Sequence, residues 1–270
     1  MTELTPKKVR TSTLTEFKVQ SKRFACLTSY DSMTSRIFDE AGIEVILVGD
    51  SAADNFLGYS STLPVTIDEM ITFGRAVAGS VSRSLVVVDL PFGSYEEGPE
   101  QALKTAVRVM KETGASAVKL EGGAIRAETI AKLHQAGIPV MAHIGFTPQS
   151  VHALGGFKVQ GRGDGAAQLE EDALAVQNAG AFAVVLELVP AELATEITNK
   201  LHIPTIGIGA GSGTDGQILV WTDFAGLSEK QRKFVRKYAE LREELFKAAK
   251  AYPADILSGN FPSATEQFEN

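Results

Sequence analysis

A closed barrel of eight parallel strands, each followed by a helix, is the fold class the sequence predicts, on three observations. Short, continuously apolar runs alternate with helix-like patterns along the chain, as expected of parallel strands covered by helices. Eight such runs can be counted, and 270 residues is a usual length for a (β/α)8 barrel. Four of the runs end on or beside a carboxylate: VILVGD at Asp50, LVVVDLPF at Asp89, AVKLEGG at Glu121 and AVVLELVP at Glu187. In a parallel sheet those ends lie together, where α/β proteins build active sites. Alternation alone also allows an open doubly wound sheet; eight units favour the barrel.

The elements follow in order. FACLTSY (24–30) reads as the first strand, and DSMTSRIFDEAG supplies an Asp cap, an apolar stripe through Met33, Ile37 and Phe38, and a terminal Gly42. VILVGD (45–50) is the second strand. A long connection then leads to a helix whose start is marked by the capping-box pair Thr66 and Glu69. LVVVDLPF (85–92), a helix over 99–113, AVKLEGG (117–123), a helix over 124–136 and PVMAHIGF (139–146) continue the pattern. A second long, glycine-rich loop precedes a helix over 166–180. AVVLELV, a helix over 191–201, PTIGIGAG (204–211) and a short QILV (217–220) complete the count. From Lys230 to Tyr252 the tail reads as one helix with Phe234, Tyr238, Leu241 and Leu245 on one face, either the eighth barrel helix or an intersubunit helix. The last stretch reads as an arm or loop.

Composition points to one domain over 1–270, a barrel with a short N-terminal extension and a C-terminal helix or arm. There is no Pro/Ser/Gly linker and no low-complexity tract, and 44% apolar residues fill a sizeable core. A formal charge of −7 without a basic stripe argues against nucleic acid or a membrane surface and for a small-molecule ligand. The single cysteine, Cys26, rules out an internal disulfide. With no apolar leader at the N-terminus, the cytoplasm is the expected location.

Four carboxylates buried at strand ends need a shared partner, because an unpaired buried charge costs several kcal/mol. An all-oxygen set suits Mg²⁺ or Mn²⁺, which keep waters for a substrate to displace. Residues i and i+2 of a strand share a face, so Lys119 and Glu121 point together into the same space. The alternatives are an internal salt bridge for that pair and a helix cap for Asp50. His143, in the fifth run, reads as a site residue because it sits beside the carboxylates. The run GIGAGSGTDG could bind phosphate through loop N–H groups or serve close chain packing. Lys158 and Arg162, in GGFKVQGRGDG, read as anion contacts or as a solvated loop.

The runs LTSYD, VGDS, GYSSTLPVT, DLPFGSY, VKLEGG, HIGFTPQSVHALGGFKVQGR, LELVP and IPTIGIGAGSGTDGQILV, in this order, closely resemble the ketopantoate hydroxymethyltransferase family over about residues 5–265. The resemblance implies a TIM barrel of the phosphoenolpyruvate-mutase type, a bound Mg²⁺, 5,10-methylenetetrahydrofolate as one-carbon donor and a homo-oligomer, a homodecamer. It carries the metal-binding carboxylates onto Asp50, Asp89 and Glu121 and the 2-oxoacid contacts onto Ser51, Asp89 and Lys119. Glu187 matches the proton acceptor, and His143 a polar group beside the substrate. The sequence departs from many members at Trp221-Thr222 and at Ser212, which bears on folate contacts more than on the core chemistry. Two alternatives stay open: a lyase or mutase of the related phosphoenolpyruvate-mutase group, which would share metal and barrel although no cysteine stands in a loop motif as its acid or base, and a non-enzymatic scaffold or regulator, which would have no reason to keep these charges.

Overall fold

A computed structural model describes residues 7–229 and 232–268 of the chain. The protein divides into two compact units, the first ending at Val220 and the second beginning at Trp221. The first unit holds a closed barrel of eight parallel strands in sequence order: β1 (Phe24–Thr28), β2 (Val45–Val48), β3 (Leu85–Asp89), β4 (Ala117–Glu121), β5 (Val140–Gly145), β6 (Ala183–Glu187), β7 (Thr205–Ile208) and β8 (Gly216–Leu219). All eight runs expected from sequence are strands, and β8 closes on β1 with Phe24 opposite Gly216.

Helix α1 (Thr11–Val19) precedes the barrel. The connecting helices are α2 (Ser32–Glu40), α3 (Ala52–Asn55), α4 (Ile67–Ala78), α5 (Pro99–Thr113), α6 (Ala127–Gln135), α7 (Gly165–Asn178) and α8 (Ala191–Lys200). Thr66 and Glu69 form the expected capping box of α4. Gly114 ends α5 with φ +76°, a left-handed conformation that costs glycine least. One expectation holds only in part in α2. Phe38 packs against the core, but Met33 and Ile37 are exposed, and the buried positions are Ser35 and Asp39. The reason is polar. Asp39 accepts hydrogen bonds from the backbone N–H groups of Ser82, Arg83 and Ser84 and from both serine hydroxyls, which pins α2 to the turn before β3.

Two apolar layers fill the unit. Outward-facing strand residues such as Val48, Val88, Leu120 and Leu186 pack under the helices. Inward-facing Phe24, Cys26, Leu47, Leu85, Val87, Met141 and Val185 fill the barrel, together with Val9 and Leu14. Each fully buried side chain of this size contributes about 1.5–3 kcal/mol. Val9 N–H donates to Arg83 O and Lys18 Nζ to Asp215 Oδ2, and Arg83 and Asp215 stand just before β3 and β8. Helix α1 therefore closes the N-terminal end of the barrel.

In the second unit the described α-helices are α9 (Trp221–Phe224) and α10 (Leu241–Ser258). The expected helix over 230–252 is thus corrected: it starts at Leu241 and runs to Ser258, while Lys230 and Gln231 lie outside the described residues. Phe234 and Tyr238 precede it. The N–H groups of Tyr238, Leu241 and Arg242 donate to the carbonyls of Phe224, Ala225 and Gly226, so this stretch is held alongside the end of α9 and cannot coil. A side chain at Gly226 would collide with Ala239 O. Among the described residues, no helix is long and apolar enough to cross a membrane.

Candidate active site

The inward positions of β3 to β6 change character along each strand. Leu85 and Val87 lead to Asp89, Ala117 to Lys119 and Glu121, Met141 to His143, and Ala183 and Val185 to Glu187. Apolar layers fill the lower barrel, and a charged layer sits on them at the C-terminal ends. The register places Asp89 opposite Lys119, Glu121 opposite His143 and Gly145 opposite Glu187. Gly145, at φ +91°, is required there, because a Cβ would meet Glu187 O at 2.3 Å.

Six of the seven residues expected from sequence form one continuous set. Lys119 Nζ donates to both Asp89 oxygens, at 2.6 and 2.8 Å, and lies 3.9 Å from Glu121 Oε1. His143 bridges two carboxylates, with Nδ1 3.3 Å from Glu121 Oε1 and Nε2 3.4 Å from Glu187 Oε2. Asp50 joins through its backbone, its N–H donating to Asp89 Oδ2 at 3.2 Å. The side chain of Asp50 does not cap α3; its Oδ2 accepts from Gln149 Nε2 at 2.9 Å. Ser51, the seventh, follows directly, and its hydroxyl lies 2.8 Å from that of the buried Tyr30.

Asp50, Asp89, Lys119, Glu121 and His143 are all buried, whereas the Glu187 side chain keeps 13% exposure. Burial, then the charges of Asp89 and Glu121, push the Asp50 carboxyl well above its ordinary range. Burial would raise Glu121 too, but His143, Lys119 and the Gln149 N–H hold it below its usual value. Burial and Lys119 would lower His143; the flanking Glu121 and Glu187 instead raise it to about 9, so it is an imidazolium at neutral pH. Lys119 is likewise held above its ordinary value, burial being outweighed by Asp89, Glu121 and Asp50.

The layer thus combines buried carboxylates, a fixed ammonium and one carboxylate that keeps some exposure. Residues 8–264 match the family described as ketopantoate hydroxymethyltransferase. The chain belongs to this family. The 3-methyl-2-oxobutanoate hydroxymethyltransferase of Mycobacterium sp. (strain KMS) is 59% identical over 268 residues, covering 98% of this chain and 95% of its own. That of Corynebacterium efficiens is 57% identical over 269 residues, covering 99% and 100%. As a member of the ketopantoate hydroxymethyltransferase family, the protein is an enzyme, a hydroxymethyltransferase. Among solved structures, a phosphoenolpyruvate phosphomutase from Streptomyces platensis subsp. rosaceus superposes with a TM-score of 0.62 at 14% identity, over 93% of this chain and 88% of its own. A 2,3-dimethylmalate lyase of the PEP mutase/isocitrate lyase superfamily gives 0.61 at 15%, over 96% and 91%. At such identities the likeness is one of fold, and it agrees with the barrel type expected from sequence.

A hard dication fits this ketopantoate hydroxymethyltransferase site through the chemistry of its donors. Four carboxylates face one ammonium and one imidazolium, and Glu121 Oε1 is buried without a hydrogen bond. Among the described residues no three His, Cys, Asp or Glu side chains form a ligand set unaided. Mg²⁺ does not need one, since it is commonly held by one or two carboxylates with waters and substrate oxygens. Other sequence candidates stand apart from the chemistry. Cβ atoms at Gly211 and Gly213 would strike Ala191 and Thr195 of α8, so those glycines serve close packing. Lys158 and Arg162 lie on an exposed loop. Two residues of the site were not singled out in the sequence, Tyr95 and Gln149. Both lie inside the family's runs, in DLPFGSY and HIGFTPQSV, and both are neutral, so no charge pattern marks them.

Proposed function

We propose that the protein transfers a hydroxymethyl group from 5,10-methylenetetrahydrofolate to 3-methyl-2-oxobutanoate, giving 2-dehydropantoate (ketopantoate) and tetrahydrofolate with uptake of water, the first step of pantothenate biosynthesis. Asp50 and Asp89 would hold one Mg²⁺, with Glu121 in its outer shell. When bound, Mg²⁺ supplies Lewis acidity toward the keto oxygen of the acid. Everything else falls to the chain. Ser51, Asp89, Lys119 and His143 orient the oxoacid, with Lys119 and His143 offsetting the negative charge that builds as C3 is deprotonated. Glu187 accepts the C3 proton. C3 of the acid then bonds to the methylene carbon of the donor, both carbon–nitrogen bonds of that carbon to the folate break, water supplies the hydroxyl group, and the C3 proton and the second proton of that water end on the two folate nitrogens.

The observation that carries this reading is the contrast within the charged layer: the Glu187 side chain keeps 13% exposure, while the other carboxylates are buried and face Lys119, His143 or Gln149. A base must meet its proton. The test is proton NMR of 3-methyl-2-oxobutanoate in D₂O with protein and Mg²⁺, then with methylenetetrahydrofolate. Loss of the C3 proton followed by a hydroxymethyl product, both abolished by EDTA, is expected. Exchange without product would move the function to another enolising reaction. Glu187→Gln should keep oxoacid binding and lose about 10²–10⁴-fold in exchange rate; normal turnover would remove Glu187 as the base.

A further inference from the structure

We propose that Gln149 and Tyr95 are positioning residues that set the two cation-facing carboxylates Asp50 and Glu121 in place, an inference that rests on the Mg²⁺ reading above. Gln149 lies in the turn after β5, is buried, and reaches three other strand ends at once. Its Nε2 donates to Asp50 Oδ2 at 2.9 Å and to Leu90 O at 3.0 Å, and its backbone N–H donates to Glu121 Oε2 at 3.0 Å. Tyr95, buried below it, accepts the Glu121 N–H at 3.2 Å and donates to Gln149 Oε1.

The orientation of the amide follows from proton counting. Tyr95 Oη has one proton and accepts at its oxygen from Glu121, so that proton goes to Gln149 Oε1. The amide Nε2 is thereby turned toward Asp50 and Leu90, with both of its protons used. Each carboxylate is fixed by one oxygen. On Glu121 the other oxygen, Oε1, is buried without a hydrogen bond and faces the charges of His143, at 3.3 Å, and Lys119, at 3.9 Å. Arg126 stacks over the Tyr95 ring, 5.2 Å from its centroid, which holds the ring in position. Outer partners of this kind typically change metal affinity by about 10–100-fold when removed.

The test is Mn²⁺ titration by electron paramagnetic resonance without oxoacid or folate, on Tyr95→Phe and Gln149→Met, with melting temperatures measured in EDTA. Both variants should bind Mn²⁺ about 10–100-fold more weakly than wild type. The Mg²⁺ concentration for half-maximal C3 exchange should rise in step. Unchanged Mn²⁺ affinity with a lowered melting temperature would make the pair structural only and overturn the proposal. If Gln149→Met does not fold, Tyr95→Phe, which removes one hydroxyl, decides alone. Failure of the wild-type protein to bind Mn²⁺ would instead overturn the Mg²⁺ reading, and this proposal with it.

Discussion

Lys119 is the residue on which the charged layer depends. Its ammonium contacts both oxygens of Asp89 where both side chains are buried, so neither partner can be removed without leaving the other uncompensated. Lys119→Met should cost about 3–5 kcal/mol, read as a lower urea midpoint, and should abolish oxoacid binding. A variant as stable as wild type would mean that Asp89 finds another partner. At this scale the charged residues were legible in the sequence, because a carboxylate closing an apolar run has few reasons to be there. Gln149 and Tyr95 were not. Their importance comes from hydrogen-bond geometry between loops distant in sequence, which no local pattern carries.

An element is held by whichever of its faces finds partners, and α2 shows that the partners need not be apolar. Burial alone would raise the Asp39 carboxyl, but the donors of Ser82, Ser84 and Arg83 lower it from 3.8 to about 2. The unfolded chain therefore takes up a proton before the folded one does. The stabilisation is complete above the unfolded value and is lost as pH falls from about 4 toward about 2. Asp39→Asn should be less stable than wild type near neutrality, by about 1–3 kcal/mol. The gap between their urea midpoints should narrow on acidification across that window; a constant gap would show that the charge is irrelevant. The strands were readable as apolar runs. The face of α2 was not, because periodicity weighs Met33 and Ile37 and is blind to a buried carboxylate serving five donors. The start of α10 was missed for a related reason, the pairing of residues 238–242 with the end of α9 overriding helical propensity.

For the barrel as a whole, the closure by α1 and the charged layer stand at opposite ends of one axis. Leu14, fully buried among the inward residues at the N-terminal end, should cost about 2–5 kcal/mol on replacement by Ala while kcat is unchanged in the folded fraction, measured by urea unfolding and steady-state turnover. A matching loss of kcat would show that the two ends are coupled. The barrel was legible from its alternation and the end of the barrel that bears the chemistry from its carboxylates, whereas the role of α1 as a closure was not, since its nine residues have only a weak amphipathic pattern. The charged groups also occupy only part of the circumference. Asp50, Asp89, Lys119, Glu121, His143 and Glu187 stand on or just after five consecutive strands, β2 to β6, and none stands on β7 or β8. Loops following those two strands could be exchanged or lengthened without disturbing a charged group of this layer. The rim is thus modular, one arc carrying the whole charged layer and the other none of it, so the loops after β7 and β8 are where a designer could rebuild the mouth of the barrel and leave that layer whole.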